Sequence, residues 1–375
     1  MAIKVEDAFK AFRAQPDGLT LSIEGETIPM LLTYQQVRQA AKDWQTYSSN
    51  APFRVPIPSE ENERRVRQLP IETDPPEHKK FRALIEPFFR RPMQANYVAK
   101  IDALIEDMLT HCEEKARFDV VRDFALPIQS HALTFLLGVP QSEADTWVSW
   151  GTHVFRDGED SGEKGSALEA YLVQAIRNAD GGADRENFFV ALNQMRVDDR
   201  PLSDAEKLGI SNLVFAGGRD TVINAITYVT WFFAQAPEAL IGAAVDARHV
   251  NLAVEEFVRA LTPLTHIGRV CPTHGGNADR VSLCWAAANY DPAIFRSPEI
   301  IDLARAPNPH VGFGSGHHAC LGAPQTRAIL RALIRALTTG TRSLRVETEV
   351  PNLEHYQGAR RAVGFEQLIA RFERA

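Results

Sequence analysis

Residues 313–322 (FGSGHHACLG) present Cys320 from a loop that contains three glycines. Glycine permits left-handed and tight backbone conformations, which let a chain approach a flat ligand closely. The segment 321–339 has helical patterning and is followed by Gly340, so Cys320 stands at a helix N-terminus, where free N–H groups and the helix dipole lower the pKa of a thiol. The arrangement predicts a thiolate held as a nucleophile, a metal ligand or a redox centre. A lone cysteine is more commonly inert and buried, but that role does not account for the surrounding glycines and histidines.

A second candidate site lies in a long apolar segment. The segment begins at a capping box formed by Ser203 and Glu206 and is closed by Pro237. Its length of about 33 residues corresponds to roughly 50 Å of helix, enough to cross a whole domain. We therefore expect a single long helix here.

Two adjacent glycines, Gly217 and Gly218, lie near the middle of this segment and precede Arg219, Asp220 and Thr221. Each glycine costs about 1 kcal/mol in a helix interior relative to alanine, so some other interaction must offset the cost. Gly217 and Thr221 are four residues apart and share a face, whereas Arg219 points about 200° away from Thr221. The pattern is typical of a groove with a hydroxyl at its edge, and equally of a close helix–helix crossing.

Two further pairs of charged residues have helical spacing. Glu256 and Arg259 are one turn apart, and considered alone they form a surface ion pair that contributes a few tenths of a kcal/mol. His78 and Arg82 share a face of a helix that starts after Asp-Pro-Pro at 74–76. This face is either simply solvated or a site for carboxylates or phosphates.

Composition limits the classes of function. The chain has 375 residues, 45% hydrophobic and 24% charged, which is ordinary for a globular protein with a large core. A net charge of −7 gives no general electrostatic attraction to nucleic acid or a membrane surface. There is no signal-peptide pattern and no run of about 18 apolar residues. The four cysteines are widely spaced, which favours a reducing, cytoplasmic location.

The periodicity predicts a mainly α fold with a small β region, in one domain over 1–375. The β-rich parts are a hairpin at 20–33 and short strand-like runs within 264–288 and 341–371. From 77 to about 240 the pattern is almost entirely helical, and a polar, glycine-rich loop at 157–166 is a candidate mobile lid.

Taken in order, these segments resemble the cytochrome P-450 superfamily over roughly residues 30–370. The cysteine loop matches the family's haem-binding loop, and the Gly217–Thr221 motif matches its oxygen-activating groove. Glu256-x-x-Arg259 matches the family's buried ion pair, and the 74–82 segment resembles the start of the helix beside the haem. Within the family the chain is most similar to bacterial, soluble, camphor-hydroxylase-like members.

The resemblance implies haem b, buried between the long central helix and the helix after the cysteine loop. Cys320 is the implied axial thiolate, which favours O–O cleavage. Thr221 is the implied hydrogen-bond donor to dioxygen, and Asp220 the implied gate for protons. The implied cofactor-binding residues are His78, Arg82, Arg269 and His318 for the propionates, with Phe313, Gly217, Gly218 and Gly314.

The resemblance also indicates substrate walls, formed by the 51–72 loop, the 150–175 region and Leu213, Val214, Leu264, His266, Val363 and Phe365. His266 either hydrogen-bonds a substrate oxygen or caps a strand. Tyr290 replaces an arginine of the family pattern, and the arginine that normally joins the Glu256–Arg259 pair is missing from its usual position. Arg296 or Arg305 is the candidate replacement.

The leading functional hypothesis is a haem-thiolate monooxygenase that inserts one atom of O2 into a small organic substrate, by hydroxylation or oxidative demethylation. Electrons would come from a ferredoxin with its NAD(P)H-dependent reductase, docked on the basic residues Lys79, Lys80, Arg82, Arg90 and Arg91. The alternatives are a peroxide-driven peroxygenase and a non-catalytic haem binder. Nucleic acid and membrane are not expected partners.

Overall fold

The computed structural model describes residues 3–15, 18–23, 25–152, 161–271, 279–339 and 342–373. Helices dominate this part of the chain, as the periodicity predicts. The α-helices are α1 Lys10–Arg13, α2 Tyr34–Ala40, α3 Glu77–Arg90, α4 Ala95–Glu113, α5 Leu126–Leu137, α6 Glu143–Ser149, α7 Ser161–Asn178, α8 Phe188–Gln194, α9 Asp204–Gly218, α10 Asp220–Gln235, α11 Pro237–Ala243, α12 Ala247–Leu261, α13 Trp285–Asn289 and α14 Ala323–Thr338. A π-helix spans Val120–Ala125, and 3₁₀ turns span Arg91–Met93 and Gly316–His318.

Local capping explains several helix starts. Ser203 accepts from the N–H of Glu206 and the Glu206 side chain binds back, so the predicted capping box begins α9. Thr33 and Gln36 form a second capping box at α2. A glycine sets one helix end: Gly138 takes a left-handed conformation (φ 64°) and ends α5.

Nine strands form three small sheets in the described part of the chain. They are β1 Leu19–Ile23, β2 Glu26–Leu31, β3 Phe118–Asp119, β4 Arg196–Val197, β5 Arg200–Pro201, β6 His266–Cys271, β7 Asp279–Cys284, β8 Ser343–Tyr356 and β9 Ala359–Glu373. One sheet has the order β1-β2-β7-β6, in which β2 runs parallel to β7 and the other pairs are antiparallel. The others are β3-β9-β8 and the β4-β5 pair.

The largest apolar core lies among the helices, and α14 is central to it. This helix packs against α4, α10 and α12, so the segment after Cys320 is fixed on three sides. The sheet that contains β2 and β7 has a separate core, which includes Phe9, Ile28 and Cys284. None of the helices in the described residues is long and apolar enough to cross a bilayer.

The structure corrects the sequence predictions in four places. The long central segment is two helices, α9 and α10, separated at Arg219. Residues 285–289 are helical, although the predicted β region 264–288 includes the first four of them. Short strands at 118–119 and 196–201 interrupt the predicted helical stretch. Residues 161–166 of the predicted lid loop belong to α7, while 157–160, like Gly340, lie outside the described residues.

Candidate active site

The cysteine loop is a tight structure fixed by its own backbone. The N–H of Cys320 donates to the carbonyl of Phe313 at 2.8 Å, which closes the loop on itself. Gly314 and Gly316 have φ values of 72° and 74°, a region that other residues rarely adopt. A Cβ at position 316 would also overlap the carbonyl oxygen of Ala41. These two glycines are therefore required by the shape of the loop.

Cys320 is an exposed residue of this loop, but its sulfur has many protein atoms around it. Burial disfavours the thiolate and raises the pKa of Cys320 above its ordinary value. The N–H groups of Gly322 and Ala323, at the start of α14, act in the opposite direction. The predicted helix N-terminus effect is thus present, but the expected net lowering of the pKa is wrong because desolvation is larger in the protein alone.

A polar cluster lies beside this loop, and it contains the four predicted propionate ligands. The rings of His78 and His318 contact edge to face at 4.4 Å between centroids. Arg82 donates to the carbonyl of His317 at 3.1 Å. Arg269 is 2% exposed, and its positive charge contributes to the lowered pKa of His318. Residues that are up to 240 positions apart in the sequence therefore meet at one place.

The cluster fits a group that carries carboxylates. Burial lowers the pKa of His78 to about 4 and also lowers the pKa of His318, so both rings are neutral at pH 7. Burial also lowers the pKa of Arg269, to about 10, which leaves it charged. Both ring nitrogens of His78 and the Nε2 of His318 are buried with no hydrogen-bond partner among the described residues. Because such groups are costly to bury unpaired, this donor set suits the two propionates of a haem.

The central helix breaks where the glycines predict a special feature. Arg219 has φ −104° and ψ −81°, outside the helical region, and it separates α9 from α10. A Cβ at Gly217 or Gly218 would meet none of the described residues within 4 Å apart from the local helix backbone. The glycines therefore do not serve a close helix–helix crossing, and of the two interpretations the groove is the one that the structure supports. The Thr221 hydroxyl donates to the Gly217 carbonyl at 3.2 Å, at the edge of this groove.

Arg219 itself is buried, with 1% of its surface exposed. Its Nη2 donates to the carbonyls of Trp147 and Gly151 at 2.5 and 2.6 Å, and its guanidinium lies 6.0 Å from the Trp150 ring. Burial lowers its pKa to about 10, so it remains charged at neutral pH. The predicted orientation away from Thr221 accords with these contacts. That this charge is fully buried was not expected.

Glu256 is the hub of a buried ionic network behind the site. Glu256 and Arg259 have no exposed side-chain surface and form two hydrogen bonds of 2.8 Å, so the surface-pair interpretation is wrong and the buried pair is confirmed. Arg305 completes the network with a bond of 2.9 Å from its Nε to Glu256. Arg296 contributes only its carbonyl, which accepts from Arg305. Tyr290 donates to the Ala260 carbonyl at 2.7 Å and lies beside the Arg259 guanidinium.

The predicted substrate residues occupy different environments. Leu213 and Leu264 are half-buried, while Val214 and Val363 are buried. His266 is the first residue of β6 and its ring contacts Tyr356. Phe365 packs against Trp231, whose indole donates to Glu349. Phe313 lies under the Arg327 guanidinium at 4.5 Å.

Sequence reasoning missed four polar side chains, which are those of Gln129, Gln68, Asn212 and His317. Gln129 of α5 donates to the Gly218 carbonyl, and Gln68 of the 51–72 loop donates to Asn212 of α9. Each is a single amide in an otherwise ordinary segment, so nothing in the local pattern indicated it. His317 was visible beside His318 but had no separate signal.

Comparison with known proteins adds to this geometry. No protein-family model matches the chain. A solved structure titled "The structure of a carbohydrate active P450" is 40% identical, covers 99% of this chain and 98% of that chain, and superposes with a TM-score of 0.93. The probable cytochrome P450 127A1 of Sinorhizobium fredii is 32% identical over 275 residues, 69% of this chain and 64% of that protein. The biotin biosynthesis cytochrome P450 of Bacillus subtilis is 26% identical over 286 residues, 72% of each.

Fold, site and similarity together define a haem-dependent oxidoreductase. The chain belongs to the cytochrome P450 superfamily, and within it to the bacterial monooxygenases. Haem b is the cofactor of this family, which acts on small organic substrates with O2 and a redox partner. The fold and family predicted from the motifs are therefore confirmed.

Proposed function

We propose that this protein is a monooxygenase that inserts one atom of O2 into a carbohydrate, by hydroxylation or oxidative demethylation, with electrons from a ferredoxin and its NAD(P)H-dependent reductase. The observation that carries the substrate class is the 40% identity, over 99% of the chain, to a P450 described as carbohydrate active. A cytoplasmic location belongs to the same proposal, and the free thiols of Cys112, Cys284 and Cys320 support it.

In this proposal the Cys320 thiolate would hold the iron of haem b, and the polar cluster of His78, Arg82, Arg269 and His318 would bind the propionates. The bound haem supplies the oxygen-activating chemistry. The chain's own contribution is positional. The Thr221 hydroxyl, held at the Gly217 carbonyl, keeps a proton at Oγ1 on the edge of the groove. The adjacent Asp220 carboxylate passes protons to that hydroxyl, as general-acid catalysis requires.

A pair of amides makes the proposed substrate wall polar. Gln68 and Asn212 are each 7% exposed and are joined by a bond of 2.6 Å from Nε2 to Oδ1. The Gln68 Oε1 and the Asn212 Nδ2 form no hydrogen bond with the described residues, so both are left to bind a substrate in this proposal. An acceptor and a donor thus stand side by side, which suits neighbouring sugar hydroxyls better than an alkyl chain.

Replacing Gln68 by leucine tests this wall. We expect Gln68→Leu to weaken sugar binding about threefold to tenfold, because one neutral hydrogen bond contributes roughly 0.5–1.5 kcal/mol. The measurement is a spin-shift titration of the haem-loaded protein with pentoses, hexoses and their methyl glycosides, with a fatty acid for comparison. Thr230→Val, which removes a buried hydroxyl that donates to the Ile226 carbonyl, is the matched control. A spin shift with the fatty acid and with none of the sugars would contradict the carbohydrate proposal.

The ferredoxin proposal depends on the surface of α3. Lys80 pairs with Asp198, Arg90 with Glu86 and Arg91 with Glu186, so part of the predicted positive charge is neutralised. Arg82 is half-buried at the cysteine loop and serves its structure. Lys79 and Lys80 are both solvent-exposed at the start of α3, and the Lys80–Asp198 ion pair lies at the surface.

We expect the double variant Lys79→Glu, Lys80→Glu to slow reduction by ferredoxin roughly tenfold or more at low ionic strength, and less at high salt. Stopped-flow reduction under carbon monoxide measures this rate. The double variant Arg345→Glu, Arg360→Glu, an equal charge change on two exposed residues of β8 and β9, is the control. Equal rates for all three proteins would remove this surface from the proposal.

The same purified protein distinguishes the alternatives. A monooxygenase turns over with NADH, ferredoxin and reductase, whereas a peroxygenase turns over faster with hydrogen peroxide alone. A non-catalytic haem binder would consume no dioxygen with any substrate that produces a spin shift. The adjacent Asp220 and Thr221 favour the first of these functions.

A further inference from the structure

The break in the central helix leaves the Gly218 carbonyl without its helical partner among the described residues. In a continuous helix the N–H of Val222 would donate to the carbonyl of Gly218, four residues earlier. Here the N–H groups of Val222 and Ile223 both donate to the carbonyl of Arg219, at 3.1 Å each. The Gly218 carbonyl therefore needs another donor if the break is to persist.

Gln129 of α5 provides that donor. Its Nε2 lies 2.9 Å from the Gly218 oxygen, and the side chain is 1% exposed. If the helix closed, Val222 would take the Gly218 carbonyl and the buried Gln129 amide would lose its acceptor. Because an unpaired buried amide is unfavourable, Gln129 disfavours the closed helix.

Arg219 acts on the same break from its own position in the chain. Its guanidinium is bound to two carbonyls, those of Trp147 at the end of α6 and Gly151 just beyond. Closing the helix would rotate the Arg219 backbone and pull the guanidinium from these acceptors. Gln129 and Arg219 thus both form hydrogen bonds that fix the chain at the break.

We propose that Gln129 and Arg219 are positioning residues that hold the central helix open at its break, and that they thereby set the groove at Gly217 and the placement of Asp220 and Thr221. This inference rests on the proposed function, in which that groove faces the haem. Neither residue is among those proposed to hold the haem or to handle protons. Their role is to fix a backbone conformation that the two glycines allow but do not by themselves impose.

Gln129→Met tests the proposal, because methionine has a similar length and shape but cannot donate. We expect it to shift the balance of open and closed helix about fivefold, the effect of one lost hydrogen bond. The infrared stretch of carbon monoxide on the reduced protein should move or broaden, and cyanide binding to the oxidised protein should weaken. In protein without haem, hydrogen exchange at the Val222 amide should slow as the helix closes.

Thr227→Val is the matched control, since it removes a buried hydroxyl that donates within α10 two turns from the break. Arg219→Lys is a second variant in case Gln129→Met does not fold, because lysine keeps the charge but not the forked donor. Unchanged carbon monoxide stretch, cyanide affinity and Val222 exchange in both variants, at control stability, would overturn the proposal. If the unmodified protein gave no thiolate-type spectrum, the proposed function would be contradicted instead. Failure of the proposed function is therefore distinguishable from failure of this inference.

Discussion

Replacing Cys320 by alanine is expected to abolish the thiolate-type spectrum of the reduced carbon monoxide complex, together with all monooxygenase turnover. The loop around this residue is fixed by the Cys320 N–H bond to Phe313 and by the backbone conformations of Gly314 and Gly316. Alanine keeps these features and removes only the sulfur. The loss should therefore reflect the missing ligand and not a collapsed loop.

Cys112→Ala is the matched control for this prediction. Cys112 is completely buried, and burial raises the pKa of its thiol to about 12, so it is an inert apolar side chain. This variant should be somewhat less stable but should keep the thiolate-type spectrum. A Cys320→Ala protein that retained the spectrum, or a folded Cys112→Ala protein that lost it, would show that the ligand assignment is mistaken.

Replacing Glu256 by alanine is expected to reduce the free energy of unfolding by about 3–5 kcal/mol or more. The Glu256 carboxylate accepts from Arg259 and Arg305, from the Asn308 amide and from the N–H of Asp302. Its removal would leave two guanidinium groups, 0% and 9% exposed, without their shared anion. An uncompensated buried charge is much more costly than the loss of a surface ion pair.

Urea unfolding of the haem-loaded protein measures this effect, and Asp102→Ala provides the comparison. Asp102 pairs with Arg335 at 2.6 Å, but both side chains are 44% exposed, so its removal should cost less than about 1 kcal/mol. Equal destabilisation by the two variants would mean that the Glu256 network does not behave as a buried ionic cluster.

Local rules in the sequence predicted much of the fold. The capping box at Ser203, the Asp-Pro-Pro start of α3 and the hairpin before residue 33 depend on neighbouring residues, and all three are present. The convergence of His78, Arg82, Arg269 and His318 was predicted only because the family resemblance relates distant segments. Periodicity alone contains no such information.

The remaining features depend on tertiary contacts. Whether the central segment forms one helix or two depends on Gln129, which lies 89 residues before the Gly218 carbonyl that it binds. Likewise, only the folded chain distinguishes Arg305 from Arg296 as the partner of Glu256. The short strand β3 at 118–119 forms because β9 offers it a free edge, which no pattern in those two residues reveals.

The parallel pairing of β2 with β7 has a consequence for synthesis of the chain. Met30 and Leu31 pair with Ser282 and Leu283, so the first hairpin has no neighbouring strand until about 250 further residues have been made. At roughly 5–20 residues per second, this interval is on the order of tens of seconds. During that time the nascent hairpin exposes an apolar strand edge, and such edges favour pairing with other chains. We therefore expect the amino-terminal hairpin to stay without its neighbouring strand through most of synthesis and to depend on chaperones during that interval.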